Sequence, residues 1–198
     1  MRQIAKDGFI WSDAKRIEFG IDCKYIGISH IKERRLKELT VNCHPGTMVG
    51  EYVPFYFWPR SVMLYILHRS NHPDIKYKEG QRPIVHLQAD MRAVIKWAND
   101  NDRMWAFSDC NAGARHANFW SNLKYLHKLN WLAIKANNFR DSQVREGKQA
   151  EFLLYGSFPW ELVEQIGVFD PEIQTRVNNS LHQIEYQPSI FIKRSWYY

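Results

Sequence analysis

Cysteine is scarce in this chain. Cys23, Cys43 and Cys110 are odd in number, widely scattered and never arranged as C-x-x-C. A disulfide framework and a zinc ribbon are thereby excluded, and the usage suits a reducing compartment. No apolar run approaches the length of a membrane span, and the first residues hold no signal-peptide core. A soluble, cytoplasmic protein without a membrane partner is expected. G-x-G-x-x-G, the P-loop and H-E-x-x-H are all missing, which removes the signatures of dinucleotide-binding Rossmann folds, NTPases and zincins. His68 and His72 stand four apart, as metal ligands on a helix can, but Pro73 ends any helix there and no third ligand lies nearby. No metal is expected. Ser108, Asp109 and His116 can be ordered into a hydrolase triad, but the nucleophile elbow that would support it is absent.

Aromatic residues are abundant, with 8 Trp, 10 Tyr and 11 Phe, so a core is easily built. No repeat, low-complexity segment or linker interrupts the 198 residues, and one domain over 1–198 is expected. The net charge of +6 favours an anionic partner without naming it. Strands and helices are mixed without the regular alternation of a doubly wound sheet, which predicts an α+β fold.

In chain order, Arg2 to Gly8 reads as the end of a helix closed by glycine, begun at Met1 without an N-cap. A strand and a cap are expected upstream of it. Phe9-Ile10-Trp11 reads as a short buried strand and Ser12 to Lys24 as a polar stretch. Ile28 to Leu39 has helical spacing and carries Lys32-Glu33-Arg34-Arg35. Tyr52 to Arg60 is an aromatic strand bracketed by prolines, which belongs at a sheet edge or beside an opening in the sheet. Ser61 caps a helix from Val62 to His68, and a loop runs from Asn71 to Arg82. Pro83 to Leu87 reads as a core strand, Asp90 as the cap of a helix through Trp97, and Met104 to Phe107 as another strand. Helical stretches are expected over His116 to Leu126 and Asn130 to Asn138, then a charged loop over Phe139 to Lys148. Glu161 to Phe169 reads as a strand, Asp170-Pro171 opens a helix through Leu181, and Ser189 to Lys193 is a last strand.

Lys148 to Tyr155 is the stretch of greatest interest. Alternation sends Gln149, Glu151, Leu153 and Tyr155 to one face and Ala150, Phe152 and Leu154 to the other. From the pattern alone Glu151 is either a carboxylate at the solvent end of an edge strand or a catalytic one. Arg145 and Lys148 are close enough in sequence to hold an anionic ligand beside it.

Several stretches together resemble the DarT family, bacterial toxins that ADP-ribosylate DNA using NAD. They are His30 to Arg35, Tyr52 to Phe57 with Pro59-Arg60-Ser61 and Met63-Leu64-Tyr65, Phe107-Ser108-Asp109, Lys148 to Leu153, Phe158-Pro159-Trp160 and Trp196-Tyr197-Tyr198. Any one is weak; the ordered set spans nearly the whole chain. The resemblance implies an ADP-ribosyltransferase fold, in which a split, bent central β-sheet flanked by helices holds NAD in its cleft. It implies transfer of ADP-ribose to a base in single-stranded DNA, typically thymine at N3, and a macrodomain antitoxin, DarG-like, as partner.

The resemblance also implies residue roles. Glu151 is the catalytic carboxylate, hydrogen-bonded to the 2′-hydroxyl of the nicotinamide ribose, and Gln149 lines the NAD site beside it. Arg35 lies near both the acceptor base and NAD, where a fixed guanidinium favours the deprotonated base without acting as a base itself. Tyr56 either stacks on nicotinamide or packs the core of its strand. Met63, Arg60, Asn111, Arg145 and Lys148 fall on the DNA side, with Phe139 to Lys148 as the substrate-recognition loop. Two departures stand out. Asn111 replaces a family histidine, which removes proton transfer there but keeps hydrogen bonding. The family's first strand, with its His-x-Thr-like NAD-holding motif, is not found ahead of the first helix. A non-catalytic single-stranded-DNA-binding domain with impaired NAD binding is therefore the second reading.

Overall fold

The structure is a computed structural model that describes residues 1–21 and 26–198. Cys23 and the end of the Ser12 to Lys24 stretch fall outside the described residues. Helix α1 (Arg2–Asp7) is closed by Gly8 at φ 76°, a left-handed backbone that suits glycine. It leads into β1 (Phe9–Trp11), which is half-buried rather than buried. The polar stretch that follows opens with a helix. The Ser12 hydroxyl accepts from the Lys15 N–H at 3.3 Å and starts α2 (Asp13–Glu18). Helix α3 (Ser29–Lys37) ends in Arg34, Arg35 and Lys37, cations that complement its C-terminal dipole.

Strand β2 (Tyr52–Tyr56) carries Pro54, and α4 (Val62–Arg69) begins where the Ser61 hydroxyl accepts from the Leu64 N–H at 3.1 Å. Strand β3 covers His86–Gln88, shorter and later than Pro83 to Leu87, and α5 (Met91–Asp100) is capped by Asp90. Strand β4 is Trp105–Ser108. The expected helix over His116 to Leu126 is absent. Phe119–Trp120 form β5 instead, with Trp120 paired to Phe107 of β4, and Asn122 then caps a 3₁₀ turn over Leu123–Lys128. Cross-strand pairing with β4 overrides the local helical spacing. Helix α6 is short, Trp131–Lys135.

The charged segment Phe139 to Lys148 also differs from expectation. Asp141 Oδ1 accepts from the Gln143 and Val144 N–H groups at 2.9 and 3.0 Å and starts α7 (Ser142–Gly147). After it come β6 (Glu151–Tyr155) and β7 (Ser157–Pro159). A 3₁₀ turn over Trp160–Leu162 delays the next strand, so β8 starts only at Gln165 and ends at Val168. Helix α8 (Pro171–Leu181), capped by Asp170, and β9 (Ser189–Ile192) complete the order.

The strands form separate sheets, β1-β7, β2-β6-β4-β5 and β3-β8-β9, with only the β8–β9 pair parallel among the described residues. Strand β2 is an edge, as its prolines predict. Strand β6 is not: it lies between β2 and β4, so a position for Glu151 at the solvent end of an edge strand is ruled out. Ala150, Phe152 and Leu154 enter the main core with Phe107, Trp105, Ile134 and Ile166. Leu153 enters a second core with Val41, Val49 and Tyr52. Each fully buried Leu or Phe contributes about 1.5–3 kcal/mol, so β6 is anchored on both faces. Rigidity at this strand fixes the place of its first residue, Glu151.

Candidate active site

Glu151 is 2% exposed, and its carboxylate meets a guanidinium that is itself only 15% exposed. Arg35, in the last turn of α3, donates from Nη2 to Glu151 Oε2 at 2.7 Å and from Nη1 to Oε1 at 3.3 Å. The Ala112 N–H donates to the same Oε1 at 3.1 Å. A carboxylate offers about four acceptor positions. Three are occupied, and the remaining one lies on Oε2.

The strand start is pinned from behind. Ser108 Oγ, at the end of β4, accepts from the Glu151 N–H at 3.2 Å and donates to the Cys110 carbonyl at 2.7 Å. The loop after β4 is tied down further by Arg34 Nη2, which donates to the Gly113 carbonyl at 2.7 Å. A Cβ at Gly113 would stand 2.8 Å from Ile31 Cγ2 and 2.8 Å from Asn111 Oδ1, so the loop and α3 touch through a glycine. Burial alone would lower the Arg35 pKa, but the Glu151 charge and hydrogen bonds outweigh it and raise it. Arg35 is a fixed cation and not a proton acceptor, as its chemistry predicts.

Tyr56 is paired with Glu151 across the β2–β6 register. The residue is 39% exposed, which excludes the core-packing role left open for it. Burial of the hydroxyl end pushes the phenol pKa up, the Glu151 charge adds to that and Arg35 opposes it. Gln149 and Asn111 join: Asn111 Nδ2 donates to Gln149 Oε1 at 3.2 Å, while Asn111 Oδ1 accepts from the Gly113 N–H at 2.7 Å. Gln149 Nε2 in turn donates to the Arg145 carbonyl at 3.0 Å. Glu151, Arg35, Tyr56, Gln149 and Asn111 therefore form one constellation.

The residues expected on the DNA side are distributed otherwise. Arg145 is exposed on α7. Arg60 donates to Asn137 Oδ1 at 3.1 Å and lies 4.5 Å from the centre of the Tyr198 ring. Met63 is half-buried against the cluster of Leu67, Ile75 and Tyr77. Lys148 corrects the expectation of a surface cation: it is 2% exposed, and its Nζ donates to the Ile134 carbonyl at 3.1 Å. Burial, with the Arg60 charge adding, lowers its pKa to about 8. Lys148 ties α6 to the end of α7, and that site inside the protein keeps it from meeting a phosphate at the surface.

Sequence reasoning missed the Ala112 N–H and the Ser108 hydroxyl as partners of Glu151. The Ser-Asp pair at the end of a strand was the available signal. A concavity of about 590 Å³ lined by Trp97, Trp160 and Tyr186 lies beside α1 and shares no residue with this site.

The arrangement, a guanidinium and a carboxylate at the start of a strand within a split antiparallel sheet, is that of the ADP-ribosyltransferase fold. Superposition on solved structures bears this out. Thermus sp. 2.9 DarT in complex with ADP-ribosylated ssDNA matches with a TM-score of 0.89 and 34% identity, over 100% of this chain and 90% of that one. Thermus sp. 2.9 DarT in complex with NAD+ matches at 0.84 and 31%, over 100% and 91%. A DNA ADP-ribosyl transferase of Thermus aquaticus is 39% identical over 175 residues, 87% of this chain and 74% of the relative. The family described as "ssDNA thymidine ADP-ribosyltransferase, DarT" matches residues 1–198. The chain belongs to the DarT family.

Proposed function

We propose that this chain, an NAD-dependent DNA ADP-ribosyltransferase by family, transfers ADP-ribose to thymine N3 in single-stranded DNA and acts as a toxin. The observation that carries the reading is the Glu151 carboxylate, held by Arg35 and the Ala112 N–H with one acceptor position left on Oε2. A ribose 2′-hydroxyl donating there places negative charge beside the carbon that becomes positive as the bond to nicotinamide loosens. Nicotinamide leaves with the bonding electrons, N3 of thymine bonds to C1′ of the ribose, and the N3 proton passes to solvent. Arg35 orients the acceptor and stabilises the deprotonated base. Tyr56 stacks on nicotinamide, and Gln149 lines the pocket of the NAD co-substrate.

Asn111 hydrogen-bonds the edge of the base through the amide capacity that Gln149 and Gly113 leave free. Met63, Arg60 and Arg145 line the path of the strand, with Arg145 the most open to phosphate. Support for DNA as acceptor comes from the likeness to Thermus sp. 2.9 DarT bound to ADP-ribosylated ssDNA. A macrodomain antitoxin that removes the mark is the partner this toxin role entails.

Labelled NAD incubated with synthetic single strands that differ in one base tests the reading. Label is expected on strands containing thymine and to be lost in Glu151→Gln. Undiminished transfer by Glu151→Ala overturns the role of the carboxylate, and transfer to strands without thymine overturns the choice of base.

A further inference from the structure

Exposure alternates along β2 and beyond it. Pro54, Tyr56 and Trp58 face solvent, whereas Phe55 and Phe57 turn inward onto the main core. Phe57 is held there edge-on to Trp131, with ring centroids 5.5 Å apart at 70°. Trp58, in the bend that follows β2, is 37% exposed, and it joins none of the core clusters of the described residues. Lys135 Nζ lies 6.0 Å from the centre of its ring.

We propose that Trp58 is a second stacking platform, which takes a base of the same DNA strand beside the one being modified, while Lys135 takes the phosphate between them. The proposal rests on the DNA-modifying reading above. A base must leave its pair to lie on the Trp58 ring, which a single strand allows and a duplex resists. An aromatic face accepts any base, so Trp58 adds affinity and places the strand without reading its sequence.

Fluorescence anisotropy of a labelled single strand, without NAD, tests this with wild type, Trp58→Ala and Trp58→Phe. The strands carry one abasic position, moved in turn through the nucleotides around the target thymine. Trp58→Ala is expected to weaken binding of the intact strand by roughly 5- to 150-fold, the value of one base–aromatic stack. Trp58→Phe should keep most of the affinity. The loss in Trp58→Ala should vanish when the abasic position sits next to the target, and only there. Unchanged binding by Trp58→Ala, or an equal loss at every abasic placement, overturns the platform. Wild type that transfers ADP-ribose to DNA yet shows no such coupling leaves the transferase reading standing and removes Trp58. Wild type that neither binds nor modifies single strands removes both.

Discussion

Replacing Arg35 by alanine should destabilise the fold as well as silence the site. Glu151 is 2% exposed and receives two hydrogen bonds from Arg35 and one from the Ala112 N–H. Arg35→Ala leaves a buried carboxylate with a single backbone donor. Removing one partner of a buried ion pair costs about 3–5 kcal/mol, against a total stability of roughly 5–15 kcal/mol for a domain. The unfolded fraction should rise by a factor of about 150 to 5,000. With a urea dependence of about 1–3 kcal/mol per molar, the midpoint should fall by roughly 1–5 M. The double variant Arg35→Ala/Glu151→Gln removes the stranded charge while its amide oxygen still accepts from Ala112, so it should be more stable than Arg35→Ala alone. Urea unfolding of wild type, both single variants and the double variant measures the coupling. If Arg35→Ala costs less than about 1 kcal/mol and the two changes simply add, the carboxylate is hydrated in the folded protein. The proposed geometry for the ribose hydroxyl then fails with it.

Three further outcomes are expected. Lys148 has its pKa lowered to about 8 by burial and the nearby Arg60 charge. The unfolded lysine titrates near 10.4, so between these values the unfolded state binds more protons and stability rises with pH. The buried thiols oppose this contribution above about 8.5 and the buried tyrosines above about 10, since burial raises Cys43, raises Cys110 to about 12 and raises Tyr52 and Tyr198 to about 12. Between pH 8 and 10 the urea midpoint of wild type should gain on that of Lys148→Met, which lacks the lysine's contribution; parallel curves refute the buried charge. Gly113→Ala should cost about 1–3 kcal/mol, because its Cβ meets Ile31 and the bonded Asn111 amide, and should lower transfer by displacing α3 with Arg35. Normal melting with normal transfer would show that the loop yields freely. Tyr197→Phe removes a hydroxyl that donates to the Ile84 carbonyl at 2.7 Å, with the Gly167 carbonyl 3.2 Å away. A loss of about 1–3 kcal/mol in thermal unfolding is expected, with NAD turnover retained by the folded fraction.

Where the deciding interaction was local, it could be read from the residues. Ser61, Asp90 and Asp170 each bond a backbone N–H three residues on, and all three start helices as predicted. Asp141 carries the same signal and starts α7, but the charged residues around it read as loop. Strand β5 was illegible because Trp120 is a strand residue only by virtue of Phe107, thirteen positions earlier. The Arg35–Glu151 pair joins residues 116 apart, and no spacing rule reaches that far. Only the family likeness brought the two together, and even that did not expose the pair's burial. Lys148 failed for a related reason. A lysine ahead of a strand reads as solvated, and its carbonyl partner at Ile134 lies on a separate helix.

Besides the β2–β6 pairing, the Glu151 carboxylate and N–H are held by α3 and the Ser108 to Ala112 turn, and by no side chain of the segment between Phe139 and Lys148 among the described residues. On the proposed function, the carboxylate and the segment expected to meet the acceptor are linked through Gln149, which donates to the backbone carbonyl of Arg145. On that proposal, rewritten side chains over 139–146 redirect which nucleotide is marked while the Arg145 carbonyl, a backbone group, keeps its bond to Gln149. A lineage can in this way explore new targets without first losing its chemistry.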